Sequence, residues 1–148
     1  MKIVVINGPN INLIGRREPE IYGSDTYKDL ENLIYKTSEE EKIEIEIFQS
    51  NHEGDIVDKI QESIKKIDGI LINAGAYTHT SIAIRDAFLA TEIPFYEVHL
   101  SEVSKRESFR QINFLRDISV GYVEGEGIKG YKIAIKNLVA YLKNLGEK

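Results

Sequence analysis

Five short apolar runs, separated by segments with apolar residues at helical spacing, constrain what this chain can fold into. Lys2–Asn7 reads as a buried strand ending at Gly8-Pro9. Residues 26–41 carry Tyr27, Leu30, Leu33, Ile34 and Thr37 at helical spacing. Residues 43–49 alternate isoleucine with glutamate, the pattern of a strand with one wetter face, and predict a sheet edge. Ser50 and Glu53 have capping-box spacing before a helix striped by Ile56, Ile60, Ile64 and Ile67. Gly69–Asn73 is a third strand, and a helix follows through Ile82, Ile84, Ala87, Phe88 and Leu89. Phe95–His99 is the fourth strand. Ser104 and Glu107 repeat the capping-box spacing before a short helix predicted around 109–114. Residues 118–123 read as the fifth strand, and Ile128, Tyr131, Ile135, Leu138, Leu142 and Leu145 mark a long C-terminal helix. Strands alternating with helices predict an α/β domain whose parallel sheet is covered on both faces. No repeat or linker interrupts the 148 residues, so 1–148 is expected to be one domain.

Composition narrows the function classes. No apolar run approaches the ~20 residues of a membrane span, and Met1–Ile6 is too short for a signal peptide. There is no cysteine, hence no disulfide and no thiolate nucleophile, which fits a cytoplasmic location. Nineteen basic against 24 acidic residues give a net charge of −5, which speaks against a general nucleic-acid binder.

Chemistry is expected beyond the carboxyl ends of the strands, near the point where strand order reverses. The polar residues gather there. The first strand runs into a long connection, 7–23, containing Asn10, Asn12, Arg16, Arg17 and Tyr22. Connections in α/β units usually take ~2–6 residues, and longer ones tend to be lids or binding loops. The third strand runs into Asn73-Ala74-Gly75-Ala76-Tyr77-Thr78-His79, the fourth into Glu97-Val98-His99-Leu100-Ser101, with Arg110 further on.

The segments 7–23, 48–55 (FQSNHEGD), 73–86 (NAGAYTHTSIAIRD), 97–101 (EVHLS), 106–110 and 127–131 resemble type II 3-dehydroquinate dehydratase. The resemblance covers nearly the whole chain. It implies a flavodoxin-like three-layer sandwich with strand order 2-1-3-4-5, and dehydration of 3-dehydroquinate to 3-dehydroshikimate through an enolate. That reaction serves aromatic amino-acid biosynthesis or quinate breakdown. It implies no cofactor, neither metal nor Schiff base, and a homododecamer built as a tetramer of trimers. Two short stretches depart from the family pattern, Val103-Ser104-Lys105 and Gln111-Ile112-Asn113, the latter where histidines and a serine are frequent. Neither falls on a residue with an assigned role, so both bear on local packing.

Removing a proton beside a ketone needs a base, a site for enolate charge, and an acid for the departing hydroxyl. A tyrosine becomes a usable base only where a cation favours its phenolate. The resemblance assigns Tyr22 as base and Arg17 as activator, although spacing alone leaves Arg16 equally able. Tyr22 could instead be a hydrophobic staple before a helix cap at Ser24 or Asp25. His99 is the candidate acid, with Glu97 two residues earlier on the same strand face to favour its protonated form. The alternative is a core histidine bonded to backbone carbonyls. Asn10, with the backbone around Pro9 and Ala76, resembles the enolate site. Asn73, with the amides of Leu100 and Ser101, resembles the carboxylate site. His79 and Arg110 match positions that hold ring hydroxyls, and Asp86 matches one contributed by a neighbouring subunit. Alternatively, Asp86 is a surface partner of Arg85.

Other classes fit less well. His52, His79 and His99 lie far apart without HExxH spacing, so no metal site is expected. A phosphoacceptor receiver needs an aspartate ending the third strand, where Asn73 stands. A nucleotide carrier needs a glycine-rich loop after the first strand, whereas Gly125-Glu126-Gly127-Ile128-Lys129-Gly130 follows the fifth. A non-catalytic sugar-acid-binding relative is the remaining rival.

Overall fold

The computed structural model describes residues 1–16, 18–22 and 24–147, with the side chain of Tyr22 excepted. Its strands are β1 (Lys2–Asn7), β2 (Glu44–Gln49), β3 (Gly69–Asn73), β4 (Phe95–His99) and β5 (Gly121–Glu124). Its helices are α1 (Pro19–Tyr22), α2 (Tyr27–Glu41), α3 (Glu53–Glu62), α4 (Ile82–Thr91) and α5 (Lys129–Gly146). The five strands form one parallel sheet in the order β2-β1-β3-β4-β5, a flavodoxin-like arrangement. β2 lies at an edge, as its isoleucine–glutamate alternation predicts.

Alternation of side chains along each strand divides the core in two. Ile3, Val5, Leu71, Tyr96 and Val98 face α2 and α5, meeting Leu30, Ile34, Ile135 and Leu138. Val4, Ile6, Ile70, Ile72 and Phe95 face α3 and α4, meeting Ile56, Ile60, Ile84 and Phe88. Each isoleucine or leucine fully buried in these layers contributes about 1.5–3 kcal/mol of transfer free energy. Burial on both faces explains why β1 and β3 read as continuous apolar runs. Among the described residues no helix is long and apolar enough to cross a membrane.

The structure revises several local expectations. The cap of α2 is Thr26, not Ser24 or Asp25. Its hydroxyl accepts from the Asp29 amide, and the Asp29 carboxylate accepts from the Thr26 amide. No capping box forms at 50–53. The Ser50 hydroxyl instead accepts from the His52 amide and donates to Asp55, leaving His52 as an N-cap without a side-chain bond. Helix α3 stops at Glu62, so Ile64 is exposed and Ile67 reaches the core from the following turn.

The helix expected around 109–114 is absent, and a short 3-10 segment, Ser108–Gln111, stands there without a side-chain cap from Glu107. The reason is local. The Gln111 side-chain amide reaches the carbonyls of Val103, Arg106 and Glu107, and the Arg106 and Arg110 amides close i+3 bonds onto Val103 and Glu107, so the segment is tied into 3-10 turns rather than helical ones. Phe109 and Ile112 also remain exposed, so no apolar stripe would be buried by continuing the helix. Strand β5 begins at Gly121 rather than 118, because Arg116–Ile118 is a 3-10 turn in which the Arg116 amide donates to Asn113 and the Ile118 amide to Leu115.

Candidate active site

Strand order reverses between β1 and β3. The chain leaves β1 for β2 on one side and returns to β3 on the other, which opens a crevice above their carboxyl ends. The two strand ends touch: the Gly8 amide donates to the Asn73 carbonyl at 2.7 Å. A Cβ on Gly8 would lie 2.5 Å from the Ala74 carbonyl oxygen, so only glycine allows this approach. Asn10 follows in the left-handed region, at φ 69°, its amide donating to the Asn51 side chain at 3.0 Å.

A cavity of about 160 Å³ opens over this junction. The β1 connection supplies Pro9, Asn10, Ile11 and Ile14 to its wall. The β3 connection supplies Asn73, Gly75, Ala76 and His79. The segment after β4 supplies His99, Leu100, Ser101, Val103, Arg106 and Arg110. Of the residues expected from the sequence, Asn10, Asn73, His79, His99, Leu100, Ser101 and Arg110 thus come together. Asp86 does not. It is exposed on α4, and Arg85 pairs with Asp117 at 2.5 Å rather than with Asp86. Arg17 and the side chain of Tyr22 lie outside the described residues.

Asn73 is fixed from below by a tyrosine of the C-terminal helix. The Tyr131 hydroxyl, on α5, donates to Asn7 Oδ1 at 2.7 Å and accepts from Asn73 Nδ2 at 3.0 Å. Asn73 Oδ1 accepts from the Gly75 amide at 3.1 Å, leaving the second hydrogen on Nδ2 for the cavity. Burial pushes the Tyr131 phenol far above its usual value, so it stays a donor. Tyr131→Phe should therefore strand Asn7 Oδ1 and lower stability by about 1–3 kcal/mol, measured by chemical denaturation. Unchanged stability would show that the hydroxyl carries no such constraint.

His79 Nδ1 lies 2.7 Å from the Ile112 carbonyl, which only accepts, so that nitrogen carries the hydrogen. Burial lowers the pKa of His79, with the charges of His99 and Arg110 adding to it against the Ile112 hydrogen bond. The neutral ring then offers Nε2 as an acceptor. Arg110 is held by an ion pair to Glu107.

His99, at the end of β4, is buried, with Nε2 3.4 Å from Glu97 Oε2. That distance is too long for a well-formed hydrogen bond. Glu97 is fully buried and does not line the cavity. Its carboxylate also accepts from Asn113 Nδ2 and Arg116 Nε, both at 2.8 Å. Burial would raise its pKa, but His99, Asn113 and Arg116 outweigh burial and hold it below the usual range. A depressed folded value means that this charge contributes stability above the unfolded pKa, lost as pH falls through the folded one.

Sequence reasoning missed Ile11, Ile14, Val103 and Arg106 in the wall, and Asn113 and Arg116 behind Glu97. The i, i+3 spacing of Ile11 and Ile14 was the available signal for the first pair. Arg106 stands five residues beyond Ser101, and Nη1 reaches the Ser101 hydroxyl at 3.5 Å. Asn113 belongs to a stretch assigned to packing, yet it touches the carboxylate beside His99.

Two imidazoles, two guanidiniums, side-chain amides and no carboxylate line the cavity among the described residues, in a chain of net charge −5. Fold and site together define a flavodoxin-like α/β protein with an anion-receptive crevice at its switch point. The model of the class II dehydroquinase family matches residues 1–139, and the chain belongs to that family. A 3-dehydroquinate dehydratase of Prochlorococcus marinus (strain MIT 9301) is 56% identical over 142 residues, 96% of this chain and 97% of the relative. That of Francisella philomiragia is 52% identical over 147 residues, 99% of this chain and all of the relative. The crystal structure of the type II dehydroquinase from Butyrivibrio crossotus superposes with a TM-score of 0.91 at 51% identity, covering 93% of this chain and 97% of that one.

Proposed function

We propose that the chain dehydrates 3-dehydroquinate to 3-dehydroshikimate by anti elimination through an enolate. The observation that carries this reading is a crevice wall with two guanidiniums and, among the described residues, no carboxylate, suited to a small hydroxylated carboxylate. Tyr22, as phenolate favoured by Arg17, removes the proton beside the ketone, and the C–H electron pair passes into the enolate. Asn10 and the Pro9 and Ala76 backbone hold the enolate oxygen, in part through a bound water. The enolate re-forms the ketone and expels the C1 hydroxyl, which leaves as water with the proton of His99. Glu97 orients that imidazole. Asn73 and the amides of Leu100 and Ser101 take the substrate carboxylate, while His79 and Arg110 take ring hydroxyls.

No lysine lines the cavity among the described residues, which supports a route without an imine. The test is the absorbance of a conjugated enone when the purified protein meets 3-dehydroquinate. Turnover that survives borohydride added with substrate supports the reading; a trapped enzyme overturns the enolate route. Binding of substrate without enone would favour the non-catalytic sugar-acid-binding alternative.

Asp86, exposed on α4 and outside its own chain's cavity, is proposed to complete the site of a neighbouring copy in a tetramer of trimers. Light scattering should then give at least three times 16.9 kDa, with activity falling on dilution to monomer. A fully active monomer would exclude the shared site.

A further inference from the structure

Glu97 shares its charge with a side chain that the mechanism above does not use. Arg116, in the 3-10 turn before β5, places Nε 2.8 Å from Glu97 Oε1. The same guanidinium lies over the Tyr122 ring, 3.8 Å from its centroid, and its Nη1 is 3.6 Å from Glu124 Oε1. The other oxygen of Glu124 accepts the Val103 amide at 2.8 Å, and Val103 lines the cavity. Asn113 locks the base of this arrangement. Its Oδ1 accepts the amides of Leu115 and Arg116 at 2.8 and 2.9 Å, while its Nδ2 holds Glu97.

We propose that Arg116 is a positioning residue for the reaction, holding Glu97 and Glu124 at once so that the His99 imidazole and the Val103 wall keep one fixed relation. The inference rests on the dehydratase reading of the cleft. A fully buried carboxylate needs its lone pairs satisfied, and β4 itself supplies only the long contact to His99. Arg116 provides a planar donor 2.8 Å from the carboxylate, and the Tyr122 ring beneath it restricts how that donor can turn. With Arg116 in place, Glu97 does not have to swing toward His99 to find a partner. Among the described residues, the charged and titratable groups on the sides of Glu97 include His99 on its own strand, His79, Arg106 and Arg110 across the cavity, and Arg116, Tyr122 and Glu124 from the β5 side. Removing the guanidinium that donates directly to the carboxylate favours its protonated form.

Arg116→Gln and Arg116→Lys, each checked for folding by circular dichroism and thermal melting, test the proposal in the wild-type assembly. Arg116→Gln should lower kcat by about tenfold and move the acid limb of the pH–rate profile upward, because Glu97 then ionises at higher pH. Arg116→Lys should restore the limb's position in part but not the full rate, since an ammonium keeps the charge and loses the planar fork. A folded Arg116→Gln with wild-type kcat and an unmoved limb would overturn the proposal. So would equal losses in both variants with the limb unmoved, which would mark Arg116 as structural support alone. A wild-type protein that forms no enone from 3-dehydroquinate would refute the underlying reading of the site, a failure visible before any variant is made.

Discussion

His99→Ala is expected to slow elimination of water from 3-dehydroquinate by about 10²–10⁴-fold, the range for losing a positioned acid. Exchange of the proton beside the ketone should suffer less. The two outcomes separate because the proposed mechanism takes the proton with Tyr22 and gives one to the hydroxyl with His99. The imidazole ends β4, is buried, and lines the cavity with Glu97 behind it. The variant should still fold, since Asn113 and Arg116 continue to hold the Glu97 carboxylate. Enone absorbance gives elimination, and loss of the substrate's exchangeable proton signal in heavy water gives exchange. Equal losses in both would remove His99 from the role of acid, and elimination at the wild-type rate would remove it from the mechanism.

Tyr22→Phe should abolish turnover, a loss of about 10²–10⁴-fold or more, while ligand affinity by calorimetry and the fold stay near those of the parent. The substitution deletes one oxygen, and that oxygen is the proposed base. A phenol titrates near pH 10 unless a cation favours its phenolate, so the activator should also be visible in the pH profile. Arg17→Gln should depress the rate and shift the limb of the profile that reports the phenolate upward. If Arg16→Gln shifted it and Arg17→Gln did not, the two arginines would exchange roles. Substantial turnover in Tyr22→Phe would assign the base elsewhere.

The contrast between 107–124 and the rest of the chain shows how far sequence reasoning reaches. Gly69–Asn73 and Phe95–His99 are predicted with their observed bounds because both faces of those strands are buried and apolar content alone marks them. The segment before β5 is misjudged because capping-box spacing says nothing about whether a side chain will reach other acceptors first. Gln111 does so, and only its three-dimensional surroundings decide that. Helix α3 illustrates the same limit: its isoleucine stripe continues past Glu62, but the backbone turns there and leaves Ile64 in solvent.

The sequence by itself determined the alternation of strands and helices, the sheet edge at β2, and the gathering of Asn10, Asn73, His79 and His99 at strand ends. Those follow from periodicity and from the geometry of parallel sheets, which are local properties repeated along the chain. Tertiary structure decided which groups stand behind the reacting ones. Tyr131 meets Asn7 and Asn73 across 124 and 58 residues of chain, and Arg116 meets Glu97 from a turn with no regular pattern. Such contacts are set by how α5 and the β5 approach dock on the sheet. A buried polar group accepts whatever partner that docking brings within about 3 Å, and no spacing rule records it.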